Sequence, residues 1–193
     1  MRYQYIFKYY EKFRQIGNEL FHAGLNNFHS GNLSVREDQD VLITATGSKL
    51  GFLEKEDLVR VDLNGEEIGR ASCEVSVHRA IYKETGVNAI VHAHAPYSVV
   101  LSFDNDHFMP MDGEGKVYFP NGVKIVHVRQ SVASEEVALE IPNVLKKDKA
   151  VIVAGHGIFA VGDDLIEAAK WISSIENSAH LVYLHRCMKG VVK

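Results

Sequence analysis

Apolar residues at Ile6, Tyr9, Phe13, Ile16 and Leu20 recur at spacings of three and four, which predicts an amphipathic helix over 4–23. Gly24 follows as its stop. NLSVRED (32–38) and QDVLITATG (39–47) read as two short strands around a turn at Asp38–Asp40. LVRVDLNGEEIG (58–69) reads as a strand, an Asn-Gly turn and a second strand. A helix is expected over 73–85, with Ser72 as its N-cap, Glu74 in the first turn and Gly86 after its end.

AIVHAHA (89–95) is then a strand, followed by a turn or short helix at Pro96–Leu101 and a loop over 104–122. VKIVHV (123–128) predicts another strand, and Ser134-Glu135-Glu136 opens a helix to about Lys147, loosened by Pro142. AVIVA (150–154) is a fully apolar strand, and Gly155-His156-Gly157 the turn after it. The last helix, 164–188, is expected to be capped by Asp163 and to bury Ile166, Ala169, Ile172, Ile175, Ala179 and Val182. Hairpins mixed with helices between strands point to an α/β layered domain whose sheet is largely antiparallel.

The 193 residues suit a single domain spanning 1–193, with neither a repeat nor a linker to divide it. A formal net charge of −4 lacks the basic face that nucleic-acid binders show. Apolar runs fall short of the roughly 20 residues needed to cross a bilayer. The first fifteen residues, which alternate charged and aromatic side chains, do not read as a signal peptide. Two cysteines, Cys73 and Cys187, cannot build a disulfide framework, so the expectation is a cytoplasmic protein without membrane or nucleic-acid partners. Ten histidines are more than this composition explains, and they direct attention to a metal.

His92 and His94 stand two apart on a predicted strand and therefore project to one face. That spacing alone fits a packed pair and a ligand pair equally. His156, between two glycines after a second apolar strand, supplies a third imidazole. Three histidines leave a coordination position for water or substrate, the pattern of a catalytic zinc site, and also suit cobalt, iron or manganese. The other seven histidines, His22 and His180 in helical patterns among them, read as structural.

SGNLS (30–34) and TATGS (44–48) each set a glycine beside hydroxyl or amide side chains, as phosphate-cradling loops do and as ordinary turns also do. Ser72-Cys73-Glu74 adds a helix N-terminus, which favours an anion. Locally, Glu74 is explained more simply by complementing the helix dipole than by an acid/base role. Cys73 fits either a thiol activated by that dipole or a passive small residue.

SGNLSVR (30–36), ITATGSKLG (43–51), SCE followed by HRAIY (72–82), AIVHAHAP (89–96) and AGHGIFAVG (154–162) stand in an order that resembles the class II aldolase and adducin family. The resemblance implies a three-layer α/β/α fold around a central, mainly antiparallel sheet, and a homotetramer with active sites between subunits. It implies zinc on His92, His94 and His156, with Glu74 as acid/base that also occupies the metal when substrate is absent. Gly31 with Asn32, Thr46 with Gly47, and Ser72 with Cys73 would hold the phosphate of a phosphorylated sugar.

The implied reaction is cleavage of a ketose 1-phosphate, of the L-fuculose 1-phosphate kind, to dihydroxyacetone phosphate and an aldehyde. The same scaffold carries methylthioribulose-1-phosphate dehydratases, pentulose-phosphate 4-epimerases (with Asp at the position of Glu74) and non-catalytic adducin-like modules that lack the zinc histidines. Two departures stand out. Cys73 replaces the second serine of the family's usual Ser-Ser-Glu, and Glu114 falls where the aldolases carry a loop tyrosine. The aldolases' second tyrosine lies in a C-terminal tail, whereas the present sequence runs to Lys193, soon after the last predicted helix.

Overall fold

The computed structural model describes residues 2–66 and 68–190. In chain order the elements are α1 (Arg2–His22), β1 (Asn32–Glu37), β2 (Asp40–Thr44), β3 (Leu58–Asp62), α2 (Val75–Thr85), β4 (Ala89–Ala93) and α3 (Pro96–Ser102). There follow β5 (His107–Phe108), α4 (Gly113–Tyr118), β6 (Val123–Val126), α5 (Glu135–Leu145), β7 (Ala150–Val153), β8 (Gly157–Gly162) and α6 (Leu165–Met188). The eight strands form one sheet in the order β3-β2-β1-β4-β8-β7-β6-β5. Every neighbouring pair is antiparallel except β6 with β7, so the sheet is mixed and mainly antiparallel.

Strand alternation divides the core into two layers, as a period of two requires. Leu42, Ala89, Val91, Ala93, Ile152 and Ile158 pack with Phe13 and Ile16 of α1 and Trp171, Ile172 and Ile175 of α6. Val41, Ile43, Ile90, Val151, Val153 and Phe159 pack with Val77 and Ile81 of α2 and Val137 and Ile141 of α5. Helices therefore cover both faces, giving the three-layer α/β/α arrangement. Among the described residues no helix is long and apolar enough to cross a membrane.

The structure corrects several sequence expectations. Residues 58–69 do not form a hairpin: β3 pairs back onto β2, and Glu67 of the expected second strand lies outside the described residues. Glu74, rather than Ser72, is the N-cap position of α2, and the Ser72 hydroxyl accepts from the Glu74 N–H in the turn before it. Helix α6 begins one residue later than expected, so Asp164 caps it through the Glu167 N–H at 2.8 Å. Ile166 then points outward at 47% exposure, while Leu165, Ala168 and Trp171 turn inward. The expected loop at 104–122 contains β5 and α4, and the apolar run after His156 is the central strand β8.

Candidate metal and anion site

The site collects at one set of strand ends, where β1 and β8 begin and β2, β4 and β7 end. Register places Asn32 opposite His92 and His92 opposite Phe159. His92 is the penultimate residue of β4, and His94 lies one residue beyond the strand. His156 enters from the β7–β8 turn, which Gly155 closes at φ 67°. Gly157 lets β8 approach: a Cβ there would overlap the Ala93 carbonyl oxygen and lie 3.1 Å from the His92 ring.

His94 Nε2 lies 3.0 Å from His92 Nε2, and His156 Nε2 lies 3.2 Å from it on another side. One nitrogen from each ring falls within 4.8 Å of the others, so the three could hold a metal ion. The chemistry of the donors suits one. Nδ1 of His92 faces the Ile158 carbonyl at 3.0 Å, which places the proton there and leaves the Nε2 lone pair facing the cluster. Burial, then the neighbouring His156 and His94, hold the His92 imidazolium well below its ordinary range. Burial and His94 push His156 down to about 4, against a raising contribution from the Ser131 backbone. Burial also lowers His94. All three are therefore neutral donors at physiological pH.

Glu74 enters from the N-terminal end of α2. Its Oε2 lies 3.3 Å from His92 Nε2 and its Oε1 3.9 Å from His156 Nε2. The carboxyl group is buried, which raises its pKa, and hydrogen bonds from Asn32 Nδ2 (3.1 Å) and the Ala133 N–H (3.2 Å) oppose that rise. Ala133 donates from a left-handed conformation, φ 49°, uncommon for a residue with a side chain. Sequence reasoning missed this donor, since a main-chain group leaves no mark in the residue pattern.

The polar loops meet around these strand ends. The Thr46 hydroxyl donates to the Ala71 carbonyl (2.8 Å) and the Thr46 N–H to Arg70 (3.0 Å), which ties the TATGS turn to Ser72 and Cys73. His29 Nδ1 lies 2.8 Å from the Gly47 carbonyl, joining that turn to the SGN loop. Gly31 and Gly47 adopt φ 78° and 76°, as their turns require. Thr46, Gly47 and Cys73 are exposed, whereas Asn32 and Ser72 are buried. Partial desolvation of the otherwise exposed thiol, then the adjacent Glu74, raise the Cys73 pKa, opposite in direction to the lowering a helix start can produce. Glu114 is exposed in the first turn of α4, which packs on α6.

Residues 11–183 match the family profile of the Class II Aldolase and Adducin N-terminal domain. The chain belongs to the class II aldolase and adducin family. An L-fuculose phosphate aldolase of Methanocaldococcus jannaschii is 35% identical over 82% of this chain and 87% of its own length. A 3-oxo-tetronate 4-phosphate decarboxylase of Haemophilus influenzae is 34% identical over 88% of this chain and 84% of its own. Among solved structures, L-fuculose-1-phosphate aldolase from Thermus thermophilus superposes with a TM-score of 0.90, at 38% identity, covering 95% of this chain and 97% of that one.

Proposed function

We propose that this protein is a divalent-metal-dependent aldolase, with zinc as the metal, that cleaves a ketose 1-phosphate to dihydroxyacetone phosphate and an aldehyde. An L-fuculose 1-phosphate-like sugar is the substrate we favour, in keeping with the names of the aldolase relatives. One observation carries the reading: the buried Glu74 carboxyl is fixed beside three converging neutral imidazoles.

Breaking the C3–C4 bond of such a sugar leaves negative charge on an enediolate of the ketone-phosphate half. A cation held by His92, His94 and His156 supplies the compensating positive charge. Forming the aldehyde releases the C4 hydroxyl proton. Glu74, whose burial raises its hold on a proton, would take it up and pass it to C3, with Asn32 and Ala133 fixing the carboxyl group. In the synthetic direction the same carboxylate removes the C3 proton. The loops of Gly31, Asn32, Thr46, Gly47, Ser72 and Cys73 hold the phosphate, keeping the fragment in place between steps. They do so chiefly through main-chain donors such as the Gly47 and Cys73 N–H, because the Thr46 hydroxyl and N–H bind Ala71 and Arg70 and Asn32 Nδ2 binds Glu74.

A homotetramer with intersubunit sites completes the reading, supported by the exposed apolar Val100, Phe103, Leu181 and Leu184 of the α3–α6 region. The free thiols of Cys73 and Cys187 suit the cytoplasm.

Decarboxylation of a 3-oxo sugar-acid 4-phosphate is the second reading, favoured by the 34% identity to a relative named for it. Loss of CO2 beside the ketone leaves an enediolate, so Glu74 would protonate the equivalent carbon. A panel of ketose 1-phosphates and 3-oxo acid phosphates separates the two by co-product. Dihydroxyacetone phosphate with an aldehyde supports the aldolase, and the same product with CO2 supports the decarboxylase. Consumption of a ketose 1-phosphate without dihydroxyacetone phosphate rejects the aldolase.

A further inference from the structure

The β1–β4 ladder reaches its last pair at Asn32 and His92, so His94 extends past it. The His94 N–H nevertheless has a partner: Oδ1 of Asn26, 3.0 Å away, from the segment between α1 and β1. Asn26 is 5% exposed, and its Nδ2 is buried without a hydrogen-bond partner. That amide N–H is left unmatched in the interior, which is unfavourable. The acceptor oxygen is thus the polar half of this side chain that the fold uses.

Asn26 also touches the loop that carries Gly31. A Cβ on Gly31 would lie 2.6 Å from Asn26 Oδ1, 2.7 Å from Nδ2 and 2.6 Å from the His92 carbonyl oxygen. The absence of that carbon lets the Asn26 amide sit flush between the SGN loop and the end of β4. One residue further, Asn32 Nδ2 donates to Glu74 Oε2. A single segment, residues 26–32, therefore grips the main chain of one imidazole at one end and the Glu74 carboxylate at the other.

We propose that Asn26 is a positioning residue of the metal centre: it fixes His94 by replacing β1 as the partner of the His94 main chain, and it couples that ligand to the loop holding Glu74. The proposal rests on the reading of the three histidines as metal ligands. Its chemistry predicts an asymmetry between two substitutions. Asn26→Asp keeps the oxygen that His94 uses and removes an N–H that has no partner. Asn26→Ala removes the acceptor and leaves the His94 N–H without it.

The test is titration of the metal-free protein with Co2+, read by its visible absorption, with thermal unfolding measured separately. Outer hydrogen-bond partners of metal ligands typically change affinity about 10- to 100-fold. Asn26→Ala should weaken Co2+ binding by about tenfold or more and alter the absorption envelope. Asn26→Asp should remain close to wild type in both. Asn26→Ser, too short to reach the His94 N–H, serves if the alanine variant does not fold, and should behave as alanine does. Wild-type Co2+ affinity and spectrum in a folded Asn26→Ala or Asn26→Ser protein, even with a lowered unfolding temperature, would overturn the proposal. Failure of the wild-type protein itself to bind Co2+ stoichiometrically would instead remove the metal reading, and this proposal with it.

Discussion

Phe159 lies flat against the imidazole of His92, with ring centroids 4.0 Å apart and planes 17° from parallel. The two residues are register partners on β8 and β4, and both are fully buried. The phenyl ring therefore sets the plane of His92 as well as filling the core. Phe159→Ala should lower stability by about 3–5 kcal/mol, the usual cost of emptying a buried aromatic site. Urea unfolding measures that loss. Phe159→Leu should retain more stability but weaken metal binding, because it fills space without a flat face. Unchanged metal affinity in the leucine variant would leave Phe159 a packing residue alone.

Glu74→Gln is nearly isosteric, but its amide cannot shuttle a proton. The variant should still bind a divalent ion and lose turnover by about 10²-fold or more. Metal analysis beside steady-state kinetics checks both halves. Turnover near wild type would take Glu74 out of the chemistry.

His78 is fully buried, with Nδ1 2.7 Å from the Ser34 hydroxyl, and burial pushes its pKa down to about 3. Between that value and the ordinary histidine value of about 6.5, the unfolded chain holds a proton that the folded protein does not. The linked contribution is thus complete above pH 6.5 and is lost as pH falls toward 3, at up to about 1.4 kcal/mol per pH unit. His156, pushed down to about 4, acts in the same direction. Denaturant titrations of the metal-free protein from pH 7 to pH 5 should show stability falling, with a shallower fall in His78→Gln. Equal slopes would show that His78 does not carry the difference.

Gly157→Ala would place a methyl group against the Ala93 carbonyl oxygen and close to the His92 ring. Overpacking of this kind costs about 1–3 kcal/mol, and β8 must shift away from β4 to relieve it. The shift falls on the strand that follows His156 and pairs beside His92, so metal affinity should drop along with the unfolding temperature. A thermal scan with and without added metal tests this: the stabilisation conferred by metal should shrink in the variant.

Much of the architecture is legible where a residue pattern has one physical cause. The 3,4 spacing of Phe13, Ile16 and Leu20 gives a helix face, and the unbroken apolar run Val41-Leu42-Ile43 gives a strand buried on both faces. Gly86 ends α2 in a left-handed conformation, as its place after Lys83-Glu84-Thr85 suggests. The errors arise where long-range pairing decides. Asn64-Gly65 carries a hairpin signal, but β3 gains more by joining the β2 edge. The run Ile158-Phe159-Ala160-Val161 has no alternation because β8 is covered on both faces.

The site divides in the same way. His92, His94, His156 and Glu74 stand out by residue type and spacing, and the structure brings them together. The Ala133 N–H, the Asn26 oxygen and the Phe159 ring were invisible, because each acts through shape or main chain that many sequences could supply.

The last strand in the chain is not at an edge of the sheet but in its middle, between β4 and β7. Until residues 157–162 leave the ribosome, the sheet can exist only as two unjoined halves, β3-β2-β1-β4 and β7-β6-β5, each with an exposed edge where β8 belongs. His156 immediately precedes the strand that joins them, so the three imidazoles converge only when this long-range pairing is made. Such non-local closure is a slow class of folding event. Metal capture should therefore follow the joining of the halves rather than direct it. Kinetic refolding with Co2+ present should show cobalt absorption rising with the final phase and not before.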